Sequence, residues 1–409
     1  MANSIGRLAV VPAIRVVAVC LIAALGMIAC SRPGTSQVSA VSSSGLPGES
    51  QRSPRFTARP QIPPLPTYLV PFADPTWGTT GVRVTNIPGQ RHAYARTSAW
   101  NSDQSRILEG FAFPGRMING TTYADLGPFR HISQAEWSNV DPNKLYGVGG
   151  DTLYSQDART GTLTVLHRFT GMATSTQANG YDGISIGDGE GGISDDDSYV
   201  ALLGQTSGMG TQYLIVYDIA TDRVEAQITL ASRPNNAQIS RLGNYVVTVG
   251  SNTRRYPRDL STSVIINDEG NHGDNALNGA GEEIYVTNDG PGVVSYRLSD
   301  GAATTLLAPG SAFEYGHTSG RNINRPGWVY LSVYDTVATA GRPGFDQIAA
   351  LNTDDPGDVE VYGFANHVDS VTYADQPQAV PSRDGLRVLV ASEWGSGTPG
   401  RVYDFVFKR

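Results

Sequence analysis

Gln376–Val390 reads QPQAVPSRDGLRVLV. A short apolar run ends in Ser382-Arg383-Asp384-Gly385, and a β-branched run follows at once. Ser, Asp and Gly in that order favour a tight turn, because the short polar side chains bond their own backbone and Gly accepts positive φ. The stretch therefore predicts an inner strand, a turn and a second strand. A loop over Ser392–Gly400 and an alternating third strand over Val402–Phe407 come next.

Weaker copies of this unit recur upstream. Ser102–Ser105 precedes Arg106-Ile107-Leu108, and Val140–Asn143 precedes Lys144–Val148. Ser194–Ser198 precedes Tyr199–Leu203, and Arg241–Asn244 precedes Tyr245–Val249. Asn278–Gly281 precedes Ile284-Tyr285-Val286, and Arg325-Pro326-Gly327 precedes Trp328–Leu331. With Ser382–Gly385 the turns number seven, at spacings of about 35 to 60 residues. One such unit cannot bury both of its faces, whereas a closed ring of units can. The expected fold is all-β, a seven-bladed β-propeller. Val82–Asn86 (VRVTN), just before the first unit, is expected to supply the outer strand that closes the last blade. Two sandwich domains are the rival all-β arrangement, but they need a central linker that the sequence lacks.

Composition agrees with a turn-rich β protein: of 409 residues 47 are Gly and 24 Pro, and only 17% are charged. The net charge of −8 argues against nucleic acid as a partner, which needs a basic patch. The two cysteines are Cys20 and Cys30, so nothing after position 30 can form a disulfide framework or a cysteine-based zinc site.

The first 29 residues pair a weakly basic start with the apolar run Val16–Ala29, too short for a comfortable membrane span and typical of a signal peptide. Met27-Ile28-Ala29-Cys30 resembles a bacterial lipobox, which implies cleavage before Cys30, acylation of its thiol and attachment to a bilayer. Ordinary export with a free Cys30 is the alternative. Residues 30–66 are rich in Ser, Pro, Gly and Arg and read as a disordered tether, with the propeller spanning 67–409. The expected location is extracytoplasmic, anchored to the bacterial cell membrane or outer membrane.

Six histidines are present, and four hold a regular phase. His272 stands nine residues before Gly281, His317 ten before Gly327, His92 twelve before Gln104 and His131 twelve before Asn143. Residues that start inner strands line one mouth of a propeller channel. His272 and His317 are therefore candidate catalytic groups, and His92 and His131 candidate binding groups. The competing reading is that these histidines satisfy buried backbone groups. His167, in the outer-strand run LTVLHRF, reads as structural. Tyr94, Arg96, Arg130, Tyr181, Glu190 and Arg321 share the phase, and Trp394 offers a face for a sugar ring. Such a mouth suits an anionic, hydroxyl-rich ligand, since Arg presents a planar fork to a carboxylate. The acidic loop Asp188–Asp197 reads as a solvated turn, and Arg254–Arg258 as a solvated basic loop.

The whole pattern resembles TolB-like and WD40-like bacterial propellers. More narrowly it resembles the propellers of oligogalacturonate and ulvan lyases, on Gly316-His317-Thr318-Ser319, Asn271-His272-Gly273-Asp274, Gln376–Gly385 with Ala391–Gly395, Trp100–Asp103 and Gly187–Gly191. The likeness covers roughly 94–407. It implies a polysaccharide lyase acting on uronates by β-elimination. That reaction needs a cation for the carboxylate (Arg96 or Arg321), a base (His272 or His317) and an acid (Tyr94 or Tyr181). It also implies a divalent metal (Mn, Ca or Zn), for which His317, His367 and Gln376 or Gln378 are the candidate ligands. The expected partner is an acidic glycan, or an envelope protein if the propeller is a non-catalytic scaffold, and the chain is expected to be monomeric.

Overall fold

The computed structural model describes residues 60–111, 114–174, 183–189, 191–207, 210–270, 272–289, 292–307, 316–333, 346–366, 375–398 and 400–409. The signal peptide, Cys30, Tyr181, Glu190 and His367 lie outside the described residues. Among those described, no helix is long and apolar enough to cross a membrane.

Seven antiparallel sheets follow one another along the chain and form a seven-bladed β-propeller. Blade 1 comprises Arg106–Glu109, Gly115–Asn119 and Asp125–Phe129, with Trp100 bridging Ile107 on the inner side. Blade 2 begins at Ser133–Trp137, blade 3 at Gly183–Ile186 and blade 4 at Asn236–Ile239. Blade 5 begins at Gly273–Leu277 and blade 6 at Gly316–Ser319. These five blades are four-stranded, with strands in simple sequence order.

Blade 7 is different and closes the ring. Val380–Pro381, Arg387–Ser392 and Tyr403–Lys408 come from the C-terminal end of the chain. Thr80–Arg83 then adds from the N-terminal side, pairing Thr80 with Lys408 and Arg83 with Phe405. The closing strand thus starts two residues before the expected stretch, and the Val84 N–H extends the pairing to the Asp404 carbonyl (2.8 Å). Phe72–Ala73 adds a fifth, outermost strand.

The Ser382–Gly385 turn forms as its residues dictate. Gly385 N–H donates to Ser382 O (2.8 Å), and Asp384 accepts from Ser382 Oγ (2.6 Å) and Leu386 N–H (3.1 Å). Gly385 sits at φ +68°, and a Cβ there would collide with the Tyr330 hydroxyl of blade 6. No other residue fits both demands.

Burial follows strand position. The second strand of blade 3, Tyr199–Gln205, is buried almost throughout, whereas its outer strand Arg223–Leu230 alternates. A strand covered on both faces reads as a continuous β-branched or apolar run. Each covering surface is the neighbouring blade. Tyr330, Ile348 and Tyr362 of blade 6 pack on Val388, Val390 and Phe405 of blade 7. Val380, Leu389 and Val406 of blade 7 pack on Trp100, Ile107 and Ile118 of blade 1. Every other junction has an apolar cluster of its own. The core is therefore a cycle of interfaces. Arg254–Arg258, expected as a loop, falls mainly in Thr253–Pro257, the third strand of blade 4. Its arginines are half-buried there because their stems lie along the sheet.

The junction of blades 7 and 1 also buries charge. His92 donates its backbone N–H to Asp404 Oδ2 (2.6 Å), and its ring nitrogens face Asp404 Oδ1 (2.8 Å) and the Gln378 carbonyl (2.6 Å). Both ring nitrogens meet oxygen atoms of blade 7. Although burial works against it, His92 holds the Asp404 carboxyl below its usual range. Glu109 is fully buried beside Asp404, and neither of its oxygens accepts a hydrogen bond from a donor. Burial and then the Asp404 charge push its carboxyl well above the usual range, with Arg91 opposing and Asp125 adding. A raised native pKa gives stability that is complete below the free-carboxyl range and lost as pH rises through the native value. Glu109→Gln keeps the shape and removes the titration. Its melting temperature should exceed that of the wild type above neutrality and show no advantage near pH 4; parallel melts across pH check this, and a constant offset at all pH values would refute it.

Candidate functional site

Blade 1 has no regular inner strand. Residues 91–99 instead make a turn toward the channel, closed by the Thr97 N–H to the Tyr94 carbonyl (3.1 Å). His92 pins the start of this turn to blade 7, and Arg91 Nη1 adds a bond to the Gln376 carbonyl (2.8 Å). Held in this way, Tyr94 and Arg96 reach across the channel to blades 5 and 6.

There they meet two histidines. Tyr94 Oη lies 2.8 Å from His272 Nδ1. Arg96 Nη2 lies 3.0 Å from the same nitrogen and 3.2 Å from the phenol oxygen. The His317 ring centroid is 5.3 Å from the Tyr94 ring and 5.3 Å from the His272 ring. Tyr94, Arg96 and His317 are 3%, 1% and 1% exposed, so His272 is the partly accessible member. Arg can only donate, which makes His272 Nδ1 an acceptor and assigns the ring proton to Nε2. Burial, then the Arg96 charge, lowers the His272 pKa to about 4. Burial, then the charges of His272, Arg96 and Arg91, holds His317 well below the usual histidine range. Both rings are neutral at pH 7.

Beneath this group the channel is braced by buried charge. Arg321 donates Nε and Nη2 to Asp274 Oδ2 and Oδ1 (2.9 and 2.8 Å). The Gln238 amide, with its oxygen 2.9 Å from Arg96 Nη1, places its nitrogen 3.2 Å from Asp274 Oδ1. Arg96 is thereby joined to the Asp274–Arg321 pair. Glu136, from the first strand of blade 2, is buried near Arg321 and Thr97, and burial pushes its carboxyl well above the usual range. Further along, Arg241 of blade 4 binds Asp195 of blade 3 (2.6 Å) and the Gly320 carbonyl beyond blade 6's first strand (2.6 Å). Arg383 donates to Asn139 Oδ1 (3.0 Å) and its carbonyl (2.9 Å). Asp197 of the acidic loop accepts from Ser138 Oγ and the Asn139 N–H. That loop, expected to be solvated, instead braces neighbouring blades.

The remaining candidates make their contacts elsewhere. His131 Nδ1 bonds the adjacent Ile132 carbonyl (2.8 Å), and its ring packs over Gly115. Arg130 is exposed. His167 bonds Asp222 (2.7 Å) on the outer strand. Trp394 is buried, stacks on Phe405 at 4.4 Å, and donates its indole N–H to the carbonyls of Pro63 (3.0 Å) and Pro64 (3.2 Å). Its face is thus covered by the chain itself. Gln378 accepts from the Ala95 N–H (3.2 Å) and donates to Gln376 (3.2 Å), so its oxygen is committed. Among the described residues no three His, Cys, Asp or Glu side chains converge as a metal site. Arg96 beside His272 adds a repelling charge. The described residues therefore do not fit a divalent cation here.

Glu136, Gln238 and Asp274 were missed by sequence reasoning. Each lies within a short inner strand that carries another polar residue as well, so nothing local sets it apart.

No family model matches the chain, and neither does any curated protein. Solved structures do. An oligogalacturonate lyase from Vibrio parahaemolyticus is 13% identical, with a TM-score of 0.58 over 83% of this chain and 96% of that one. The Pan2 WD40 domain of Neurospora crassa is 14% identical, with a TM-score of 0.46 over 80% and 93%. TolB from Acinetobacter baumannii is 10% identical, with a TM-score of 0.38 over 72% and 75%. What the chain shares with the lyase, at that identity, is its fold: a seven-bladed β-propeller.

Proposed function

We propose that this propeller, held outside the cytoplasm by acylated Cys30, binds an acidic glycan at the His272 end of its channel and cleaves it by β-elimination. The observation that carries the reading is Tyr94 bonded to a neutral His272 with Arg96 against both. The fold shared with a lyase that acts on oligogalacturonate supports it. Arg321 is tied to Asp274, and Arg96, whose Nη2 already meets the Tyr94 phenol and His272 Nδ1, is the cation beside the acid–base pair. Transfer of the Tyr94 proton to His272 Nδ1 makes a phenolate that the Arg96 charge stabilises. Substrate seated against His272 has to part the cover over Tyr94, and the phenolate then takes the proton on the carbon next to the carboxylate. The new double bond forms as the bond to the leaving oxygen breaks, and the His272 imidazolium protonates that oxygen. Tyr94 ends protonated and His272 neutral, as they began. Arg–Asp and Arg–Asn braces cross the channel at its other end, so substrate approaches past His272.

The test incubates residues 31–409 with uronate polysaccharides and short uronate oligomers, following ultraviolet absorbance of the unsaturated product. Wild type should produce it, and Tyr94→Phe and His272→Ala should each lose about 10²–10⁴-fold, the usual contribution of a positioned acid or base. Because the His272 pKa is lowered to about 4, its titration should leave the rate unaffected down to pH 5 and reduce it near pH 4. Absence of product on every substrate, or full activity in both variants, would overturn the reading and favour a non-catalytic scaffold.

A further inference from the structure

Residues 59–67 read RPQIPPLPT. Four prolines in nine residues remove backbone donors and fix φ, so the described part, 60–66, lies outside any strand. Yet this segment is seated on blade 7. Both proline carbonyls, Pro63 and Pro64, accept from the single indole N–H of Trp394. The Ile62 side chain lies against Gly395, where an added Cβ would come within 3.1 Å of it. Phe72 meets Trp394 edge-on at 5.4 Å, and Phe405 stacks beneath it. An aromatic platform with one N–H aimed at consecutive carbonyls of a proline-rich strand is a known recognition chemistry. The ligand is already extended and loses little entropy on docking.

The hold is light. Pro60, Gln61, Pro63, Pro64 and Leu65 remain exposed, and Ile62 is only partly buried. None of their N–H groups joins the edge of the sheet. By contrast Tyr68 bridges Arg83, and the Leu69 N–H bonds the Arg83 carbonyl (3.0 Å), so the chain is firmly tied from there on.

We propose that the Trp394 groove of blade 7 is a receptor for proline-rich segments and that residues 60–66 are its built-in, displaceable occupant. The partner it fits is an extended Ile-Pro-Pro-type peptide. The covalent link keeps the resident at millimolar effective concentration, so a partner in trans must compete. This assignment is independent of the Tyr94–His272 site.

The probe is a fluorescein-labelled peptide of residues 59–67, and the readout is anisotropy with full-chain protein. Ile62→Asp loosens the resident strap and leaves the groove intact. It should bind the peptide at least tenfold more tightly than wild type does. Adding Trp394→Phe, which keeps the ring and removes the N–H, should abolish that gain. Melting curves for all three proteins separate loss of binding from loss of fold. Binding by Ile62→Asp no tighter than wild type, or equal binding with and without Trp394, would overturn the proposal.

Discussion

Asp274→Leu is expected to lower the unfolding free energy by about 3–5 kcal/mol, the usual cost of removing one partner of a buried ion pair. Asp274 and Arg321 are 1% and 6% exposed, and the pair is bidentate. Asp274 also accepts from the N–H groups of Gly320 (2.8 Å) and Asn275 (2.9 Å). Leucine leaves those donors unsatisfied and takes from the buried Arg321 guanidinium both of its carboxylate bonds. The second arm of the experiment replaces both partners. Asp274→Leu with Arg321→Met removes the stranded charge and should recover much of the loss, because an apolar pair of similar volume is often neutral. Exposed pairs such as Arg297–Asp300 supply the control, since water and salt screen them and their removal should barely move the midpoint. Urea midpoints for the four proteins decide the matter. A single variant within about 1 kcal/mol of wild type would mean that water reaches Arg321.

The second large effect concerns the ring closure. Removing residues 403–409 deletes the strand that joins Arg387–Ser392 to Thr80–Arg83. It also deletes Phe405 and Phe407, both fully buried against blades 6 and 7. Two sheet edges are bared and two inter-blade clusters are emptied, so the loss exceeds the usual net stability of a domain, about 5–15 kcal/mol. The shortened chain should show no cooperative melt and should be digested within minutes by a protease that spares the full chain. For calibration, Phe405→Ala alone should cost about 3–5 kcal/mol. A cooperative, wild-type-like transition in the shortened chain would show that the blades stand without closure.

The architecture was legible because it rests on local signals. Turns such as Ser382–Gly385 declare themselves through short polar side chains and a glycine at positive φ. The doubly covered strands declare themselves through continuous β-branched runs such as Tyr245–Val249. The meeting of His272 and His317 was legible because both occupy the same step of adjacent blades. Other features depend on distances across the ring that no local spacing encodes. His92 looked like a mouth residue, yet its partners are Asp404 and Gln378, some three hundred positions away in sequence. Trp394 looked like a sugar platform, and its occupant is the chain's own Ile62–Pro64. Arg254–Arg258 looked like a loop because charge was read without the alternation that a sheet imposes. Glu136 and Asp274 carried no signal beyond being acidic within a short inner strand.

The clasp between Thr80–Arg83 and Tyr403–Lys408 has a consequence for how the protein is made. Blades 1 to 6 are each built from contiguous chain and can form in order as the ribosome delivers them. Blade 7 cannot, because its N-terminal strands wait for partners that follow the other six blades along the chain. Until then the nascent arc has two open ends, each a bare sheet edge able to pair with another chain. Closure must also span almost the whole sequence, which makes it the slow step. Prematurely terminated chains should therefore aggregate through those ends, even when six of their seven blades are complete.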